Sequence, residues 1–432
     1  MPMLKNIRQN LLQGHTKLNL IAMVLLILLI GISVTFYSDM YVPTLPAITV
    51  AFNTTPTYVQ LSITLYLFAV ALSQLVYGPL SDRFGRRRVL FTGLIISLVG
   101  SVLCVKATSV GDLIVGRLIQ GSGIGTCLCL VRAISRDAFE GTRLAKVASY
   151  LSMGSSVAAT LAPVVGGYFA GWFGWHANFE FLFGFSVGML LLTWLFLPET
   201  LQAQDKDAMR PRHLVQGYLQ LFSNKTFMCY VICTSMASAG IISYFTISPY
   251  VMQYILGMTM VEYSWLAIFI TAVIFSGRLL NVFLLSYFSL EKIVGAGVIF
   301  MCLGGVIMLV VGLFVPTSVA AIMIPMLIFC FGASFVTCNG MAGALNPIKK
   351  KNGSAGAIFG GVQIMGSFVL SGIAALMHNN SEVTMGIILC GAAFSGFAAL
   401  YFTLIRDAKG WRNFLFSNQA IPVNVNAAGI QS

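Results

Sequence analysis

The sequence predicts an all-α polytopic membrane protein whose twelve spanning helices form two pseudo-symmetric six-helix bundles. Three observations predict it. Of 432 residues, 58% are hydrophobic and only 9% are charged, whereas a soluble domain carries roughly 25% charged residues. So few charges cannot cover a water-exposed surface, so most of the surface must face lipid. Apolar runs of spanning length recur from end to end. The basic residues cluster in alternate connections between those runs.

The runs fall at 18–40, 57–79, 88–107, 112–134, 144–169, 175–197, 226–251, 261–283, 292–314, 319–345, 354–377 and 385–405. They are about twice the length of a barrel strand and do not alternate apolar with polar residues, which leaves helices as the spanning elements. The first run follows Lys5, Arg8 and Lys17, as a signal peptide would. Its length of about twenty residues and its lack of a small-x-small cleavage site favour a spanning helix. The longest polar stretch, Pro198 to Lys225, follows the sixth run. It divides the chain into an N-terminal bundle (1–197), a linker (198–225), a C-terminal bundle (226–405) and a tail (406–432). Two such halves imply a transport site at their interface, near the bilayer midplane.

The formal net charge of +12 is carried in short clusters between apolar runs. It is not spread on a face with interleaved aromatics, which argues against nucleic acid. Lys5, Arg8 and Lys17 precede span 1; Arg83, Arg86, Arg87 and Arg88 follow span 2; Arg136, Arg143 and Lys146 follow span 4. Lys206, Arg210, Arg212 and Lys225 lie between spans 6 and 7, Lys292 follows span 8, Lys349, Lys350 and Lys351 follow span 10, and Arg406, Lys409 and Arg412 follow span 12. With twelve spans these connections share one side, and the other side has only Lys106. Both termini are therefore expected in the cytoplasm. The nine cysteines all lie in apolar runs without disulfide or zinc spacing, and read as small packing residues.

After span 2 stands Gly78-Pro79-Leu80-Ser81-Asp82-Arg83-Phe84-Gly85-Arg86-Arg87-Arg88. Its two glycines permit a tight turn, and Asp82 can pair with an Arg or sit at a helix N-terminus. The pattern closely resembles the signature loop of the major facilitator superfamily, G-x-L-a-D-r-x-G-r-k/r. Leu113, Arg117, Gln120, Gly121, Ser122 and Gly123 resemble that family's fourth-helix motif. Arg132-Ala133-Ile134-Ser135-Arg136-Asp137, Ser38-Asp39-Met40-Tyr41-Val42-Pro43-Thr44-Leu45-Pro46, Leu197-Pro198-Glu199-Thr200 and Ser248-Pro249 resemble motifs of its Bcr/CflA drug-resistance branch. Ala162-Pro163-Val164-Val165-Gly166-Gly167 is similar to the antiporter motif G-P-x-x-G-G, with Ala158 and Ala162 where Gly is common. The second half carries a weaker echo of the signature loop around Gly277-Arg278 and Asn281. The resemblance implies the major facilitator fold, with the signature loop (Gly78, Asp82, Arg83, Gly85, Arg86) locking the cytoplasmic side in one of two alternating states.

Arg117 lies inside span 4. A mid-helix Arg costs roughly 2.5–3.5 kcal/mol on insertion scales, so it either faces a cavity or partner or snorkels to the interface. Asp39 is its natural partner, about 31 Å along span 1 at 1.5 Å per residue. Burial and the helix C-terminus oppose its charge while a nearby Arg supports it, so it reads as the proton carrier; a solvated interfacial Asp is the alternative. Span 1 has no acid before Asp39. Glu180, early in span 6, reads mainly as an interface residue and Glu262, at the start of span 8, likewise. His15, His176, His213 and His378 fall near ends or loops and form no metal pair, so no metal and no cofactor are expected.

The resemblance places the substrate cavity on spans 1, 4, 7 and 10, where Tyr37, Tyr41, Gln120, Tyr244, Phe245 and Asn339 stand. Aromatic breadth with a few orienting polar groups suits small apolar or amphipathic compounds. The expected function is proton-coupled export of such compounds by a monomer in the inner membrane. The alternative is an exporter of one endogenous metabolite or siderophore. A membrane enzyme is disfavoured, because the chain has no HExxH and no paired intramembrane carboxylates; a G-x-x-x-x-G-K-[ST] nucleotide loop is also missing.

Overall fold

The computed structural model describes residues 17–201, 203–205, 218–346, 353–377 and 381–405. Lys5, Arg8, His15, Lys206, Arg210, Arg212, His213, Lys349, Lys350, Lys351, His378, Arg406, Lys409, Arg412 and the 406–432 tail lie outside the described residues. Twelve described helices are long and apolar enough to span a bilayer. They are α1 (Lys17–Asp39), α2 (Pro56–Phe84), α3 (Arg86–Val105), α4 (Val110–Ala138), α5 (Gly141–Phe173), α6 (His176–Phe196), α7 (Lys225–Tyr250), α8 (Met260–Leu284), α9 (Leu290–Phe314), α10 (Val319–Leu345), α11 (Gly353–Leu376) and α12 (Glu382–Leu400). The observed ends fall within a few residues of the expected ones.

Several ends have a local cause. Ser109 and Asp112 close a capping box on α4, and Thr259 and Glu262 do so on α8. Each satisfies otherwise orphaned backbone N–H groups. Glu262, expected at an interface, therefore caps a helix. Asn224, Ser318 and Ser381 accept from the first turns of α7, α10 and α12. Pro43 and Pro46 stop α1 and redirect the chain through a 3₁₀ turn (Val42–Thr44) into a short helix (Leu45–Ala51).

The halves repeat one packing device. A side chain on Gly123 of α4 would strike Gly93 O and Ser97 N of α3, and one on Gly332 of α10 would strike Gly297 O and Met301 N of α9. Small residues thus let α3–α4 and α9–α10 approach with backbones almost touching. Likewise Gly125 abuts Ser73 in the first half, and Gly277 abuts Ser334 in the second. Gly277 and Asn281, the echo of Gly78 and Asp82, lie inside α8 near its end, as that pair does in α2, and pack on α10, where Asn339 Nδ2 donates to Asn281 Oδ1 at 2.6 Å.

The turn expected over Gly78–Arg88 is also shorter than the motif. α2 runs on through Pro79 to Phe84, so Gly78 is helical and faces Ala357 and Cys129. Only Gly85, at φ +99°, makes the turn into α3.

Candidate functional site

At the end of the bundle away from the signature turn, the two halves are joined by side chains of the second half donating to the end of α1. Gln253 Nε2 donates to Pro43 O at 2.8 Å, Tyr254 OH to Pro46 O at 3.0 Å, and Tyr250 OH to Leu45 O at 3.4 Å. Tyr250 OH also pairs with Thr49 Oγ1 at 2.9 Å, and Gln60 Nε2 of α2 donates to Thr246 O at 3.0 Å. A carbonyl oxygen has two lone pairs, so Pro43 O, Leu45 O and Pro46 O can each accept from Gln253, Tyr250 or Tyr254 beside any bond within their own turn.

Below this seal lies Arg117, fully buried at 0% exposure, which excludes snorkelling. Its Nη1 donates to Tyr37 O at 2.9 Å and to Gln120 Oε1, and Gln120 Nε2 donates onward to Ser101 Oγ at 2.9 Å. The guanidinium stacks over Tyr41 at 4.2 Å and Tyr66 at 4.0 Å. Aromatic faces of this kind contribute up to about 2 kcal/mol each to a desolvated cation. Nε and Nη2 find no acceptor. Asp39, half-buried, accepts from Ser38 Oγ at 2.5 Å. No ion pair joins it to Arg117: among the described residues the ion pairs are Arg86–Asp82 and Arg86–Asp137. The direct Asp39–Arg117 contact expected from depth alone is not made here, because Arg117 is turned to the Tyr37 carbonyl and to Gln120.

At the opposite, basic end a cavity of about 650 Å³ opens between the halves. Its walls are α2 (Gln74, Gly78, Ser81, Asp82), α4 (Cys129, Arg132, Arg136), α5 (Leu144, Leu151), α10 (Met341, Leu345) and α11 (Gly356, Ala357). The signature turn borders it. Arg86, at the first position of α3, holds Asp82 at 2.6 Å and Asp137 at 3.0 Å, and its Nη1 donates to Ser81 Oγ at 2.5 Å. The Glu199 carboxylate accepts from the backbone N–H groups of Arg86 (2.8 Å) and Arg87 (3.3 Å), so it caps α3. Arg83 is exposed and stacks on Phe84 rather than pairing with Asp82. These contacts tie α2, α3, α4 and the segment after α6 together within the first half.

The family model described as Major Facilitator Superfamily matches residues 27–369. The chain belongs to the major facilitator superfamily. Its curated relatives lie in the Bcr/CflA drug-resistance branch to which the motifs pointed. Multidrug resistance protein D of Escherichia coli is 30% identical over 378 residues, covering 88% of this chain and 94% of that protein. A bicyclomycin resistance protein homolog of Haemophilus influenzae is 24% identical over 379 residues, covering 87% and 94%. Among solved structures, the xylose transporter of E. coli superposes with a TM-score of 0.67 at 16% identity, covering 88% of this chain and 96% of that one. It shares the major facilitator fold.

Within that fold, the residues expected to line the cavity sit elsewhere. Tyr37 OH bonds Ser186 and Leu182 O, Tyr41 OH pairs with Ser62 Oγ, and Gln120 serves Arg117. Tyr244 OH donates to Met323 Sδ, and Asn339 is committed to Asn281 and Phe335 O. Tyr244 and Phe245 border only a small crevice beside Pro163. None of the six lines the 650 Å³ cavity. The antiporter-like motif is a junction: a side chain on Gly166 would strike Met40 O, and one on Gly167 would strike Ser264 of α8 in the other half. Glu180 is exposed on α6. Sequence reasoning missed Gln74, Gln253, Tyr250 and Tyr254. No local pattern marks the last three, because their acceptors lie in the other half of the chain.

Proposed function

We propose that the chain is a proton-coupled exporter of small, largely apolar or amphipathic compounds, working by alternating access as a monomer in the bacterial inner membrane. The observation that carries this is the asymmetry of the interface: hydrogen-bonded shut at one end, with a 650 Å³ cavity at the other and a buried Arg117 between. The basic end faces the cytoplasm, by the excess of Lys and Arg there, so both termini are cytoplasmic and this is the inward-facing state. Segment 198–225 is the linker between the halves, and 406–432 the tail. The names of the relatives, multidrug and bicyclomycin resistance proteins, favour varied cargo over a single metabolite or siderophore.

Asp39 carries the proton in this reading. Arg117 keeps two nitrogens, Nε and Nη2, without acceptors, and Asp39 is the acid on the helix end that Arg117 already holds. A deprotonated Asp39 would complete the arginine's shell, and a protonated one would release it. The unpaired arrangement is then the proton-loaded one. One charge moving down roughly 150 mV yields about 3.5 kcal/mol, enough for a substrate gradient of a few hundredfold.

The test uses purified protein in proteoliposomes with an anionic, a neutral and a cationic cargo (1-anilinonaphthalene-8-sulfonate, N-phenyl-1-naphthylamine and ethidium) and an imposed pH gradient. Movement should follow the gradient in the native protein and lose that dependence in Asp39→Asn. Movement indifferent to the gradient, or unchanged in Asp39→Asn, rejects proton coupling through Asp39.

A further inference from the structure

Three guanidinium groups, of Arg86, Arg132 and Arg136, face the cavity against one carboxylate, Asp82. Their engagements are unequal. Asp82 is taken by Arg86 at 2.6 Å, and Arg86 is also held by Asp137. Neither Arg132 nor Arg136 forms an ion pair with a described carboxylate. Arg132 has one long contact, Nη1 to Gly356 O at 3.4 Å. It lies well inside α4, which continues to Ala138, so fixing topology does not explain its place.

A second, independent observation points to the same spot. Gln74 of α2 is buried at 1% exposure, lines the cavity, and its Nε2 has no acceptor. A buried donor left unpaired costs about 1–3 kcal/mol, and a ligand acceptor would recover it. Gln74 and Arg132 converge at Gly360 of α11. A methyl group there would collide with Gln74 Oε1 and come within 3.4 and 3.5 Å of Arg132 Nη1 and Nη2. Glycine lets α11 approach the Gln74 amide and the Arg132 guanidinium without a clash. Across the cavity, Leu144, Leu151 and Met341 offer an apolar wall.

We propose that this cavity selects amphiphiles carrying an oxyanion, a carboxylate, sulfonate or phosphate, whose head sits between Arg132 and Gln74 with Arg136 at the mouth. The apolar body lies against α5 and α10. This names the substrate class of the export reading above and rests on it. Arg suits the task because its planar fork meets an oxyanion with two parallel hydrogen bonds.

The test is equilibrium binding to the purified full-length protein in phosphatidylcholine nanodiscs, with empty discs subtracted. The probes are 1-anilinonaphthalene-8-sulfonate and N-phenyl-1-naphthylamine, the same skeleton without the sulfonate. The sulfonate should bind the native protein at least tenfold more tightly than the neutral compound. Arg132→Gln should weaken sulfonate binding roughly ten- to hundredfold and Gln74→Leu roughly three- to tenfold, with neutral binding unchanged in both. Retained neutral binding also shows that each variant is folded. Equal affinity for the two probes, a sulfonate affinity indifferent to both substitutions, or no binding of either probe to the native protein overturns the proposal. Phosphatidylglycerol in the discs distinguishes the source of the oxyanion: competition with the sulfonate identifies a lipid headgroup, and its failure to compete identifies a free amphiphile. Proton-driven ethidium movement that requires Asp39, without sulfonate preference, would leave export standing and this assignment refuted. Sulfonate preference without gradient-driven movement would do the reverse.

Discussion

Gly85→Ala tests the architecture of the signature turn. Gly85 has φ +99° and ψ 146°, a region open essentially to glycine, and a side chain forced into it costs about 1–3 kcal/mol. The added methyl would also strike the Glu199 carboxylate, with Cδ at 2.9 Å, and push it off the N–H groups of Arg86 and Arg87. Glu199 is exposed, so losing its cap costs only about 1 kcal/mol. The expected loss is therefore about 2–4 kcal/mol. Glu199→Ala alone should cost about 1 kcal/mol, and the double variant should fall short of the sum of the single losses by about that amount, because the cap can be lost only once. Gly391→Ala is the control, since a methyl there meets nothing within 4 Å; it should be neutral or stabilising by up to about 1 kcal/mol through helix propensity. Unfolding of the purified protein by sodium dodecyl sulfate in mixed micelles, followed by tryptophan fluorescence, measures all four variants. A Gly85→Ala protein that unfolds with the wild type, or strictly additive losses, would refute the reasoning.

Three other outcomes follow from the same geometry. Arg117→Met leaves the buried Tyr37 carbonyl and Gln120 Oε1 without their donor, so stability in the same assay should fall by about 1–3 kcal/mol and gradient-driven transport should be lost; a variant that transports normally would contradict this. Gly167→Val sets a branched side chain against Ser264 and Met260 O at the α5–α8 junction, so transport should fall at least tenfold at unchanged membrane expression. Tyr250→Phe removes the hydroxyl contacts to Thr49 and Leu45 O, worth about 1 kcal/mol. Spin labels on Val50→Cys and Ile255→Cys, with the exposed Cys338 replaced, should then show the longer-distance population growing about fivefold.

Helix positions were legible because lipid imposes length and hydrophobicity locally: the expected 319–345 run is α10 itself. The interior of a motif was less legible. Gly78 looked like a turn residue, yet it is a packing residue, because a membrane helix tolerates Pro79 and continues. The cavity was legible only in its place between the halves and in two of its walls, α4 and α10; the parts of α2, α5 and α11 were not. Which helices enclose it depends on how two six-helix bodies tilt against each other, and no short pattern carries that tilt. Arg117 shows the middle case. Its burial cost was readable from the sequence. Its choice of the Tyr37 carbonyl, Gln120 and two aromatic rings over Asp39 was not.

In the proposed mechanism the end of α1 is where proton and gate meet. Its carbonyls are read in order along the chain. Tyr37 O is held by Arg117, and Met40 O lies against Gly166 and 3.4 Å from Asn178 Nδ2. Pro43 O, Leu45 O and Pro46 O are held by the second half. Asp39 stands between the carbonyl fixed by Arg117 and those that seal the interface. For its carboxylate to reach Arg117 in the proposed cycle, Asp39 must leave Ser38 Oγ. Gly166 leaves no room for Met40 O to shift toward α5 without α5 yielding. Packed interfaces switch between discrete arrangements rather than deforming smoothly. In the proposed cycle, a rearrangement at Asp39 therefore acts on the same segment that carries the seal.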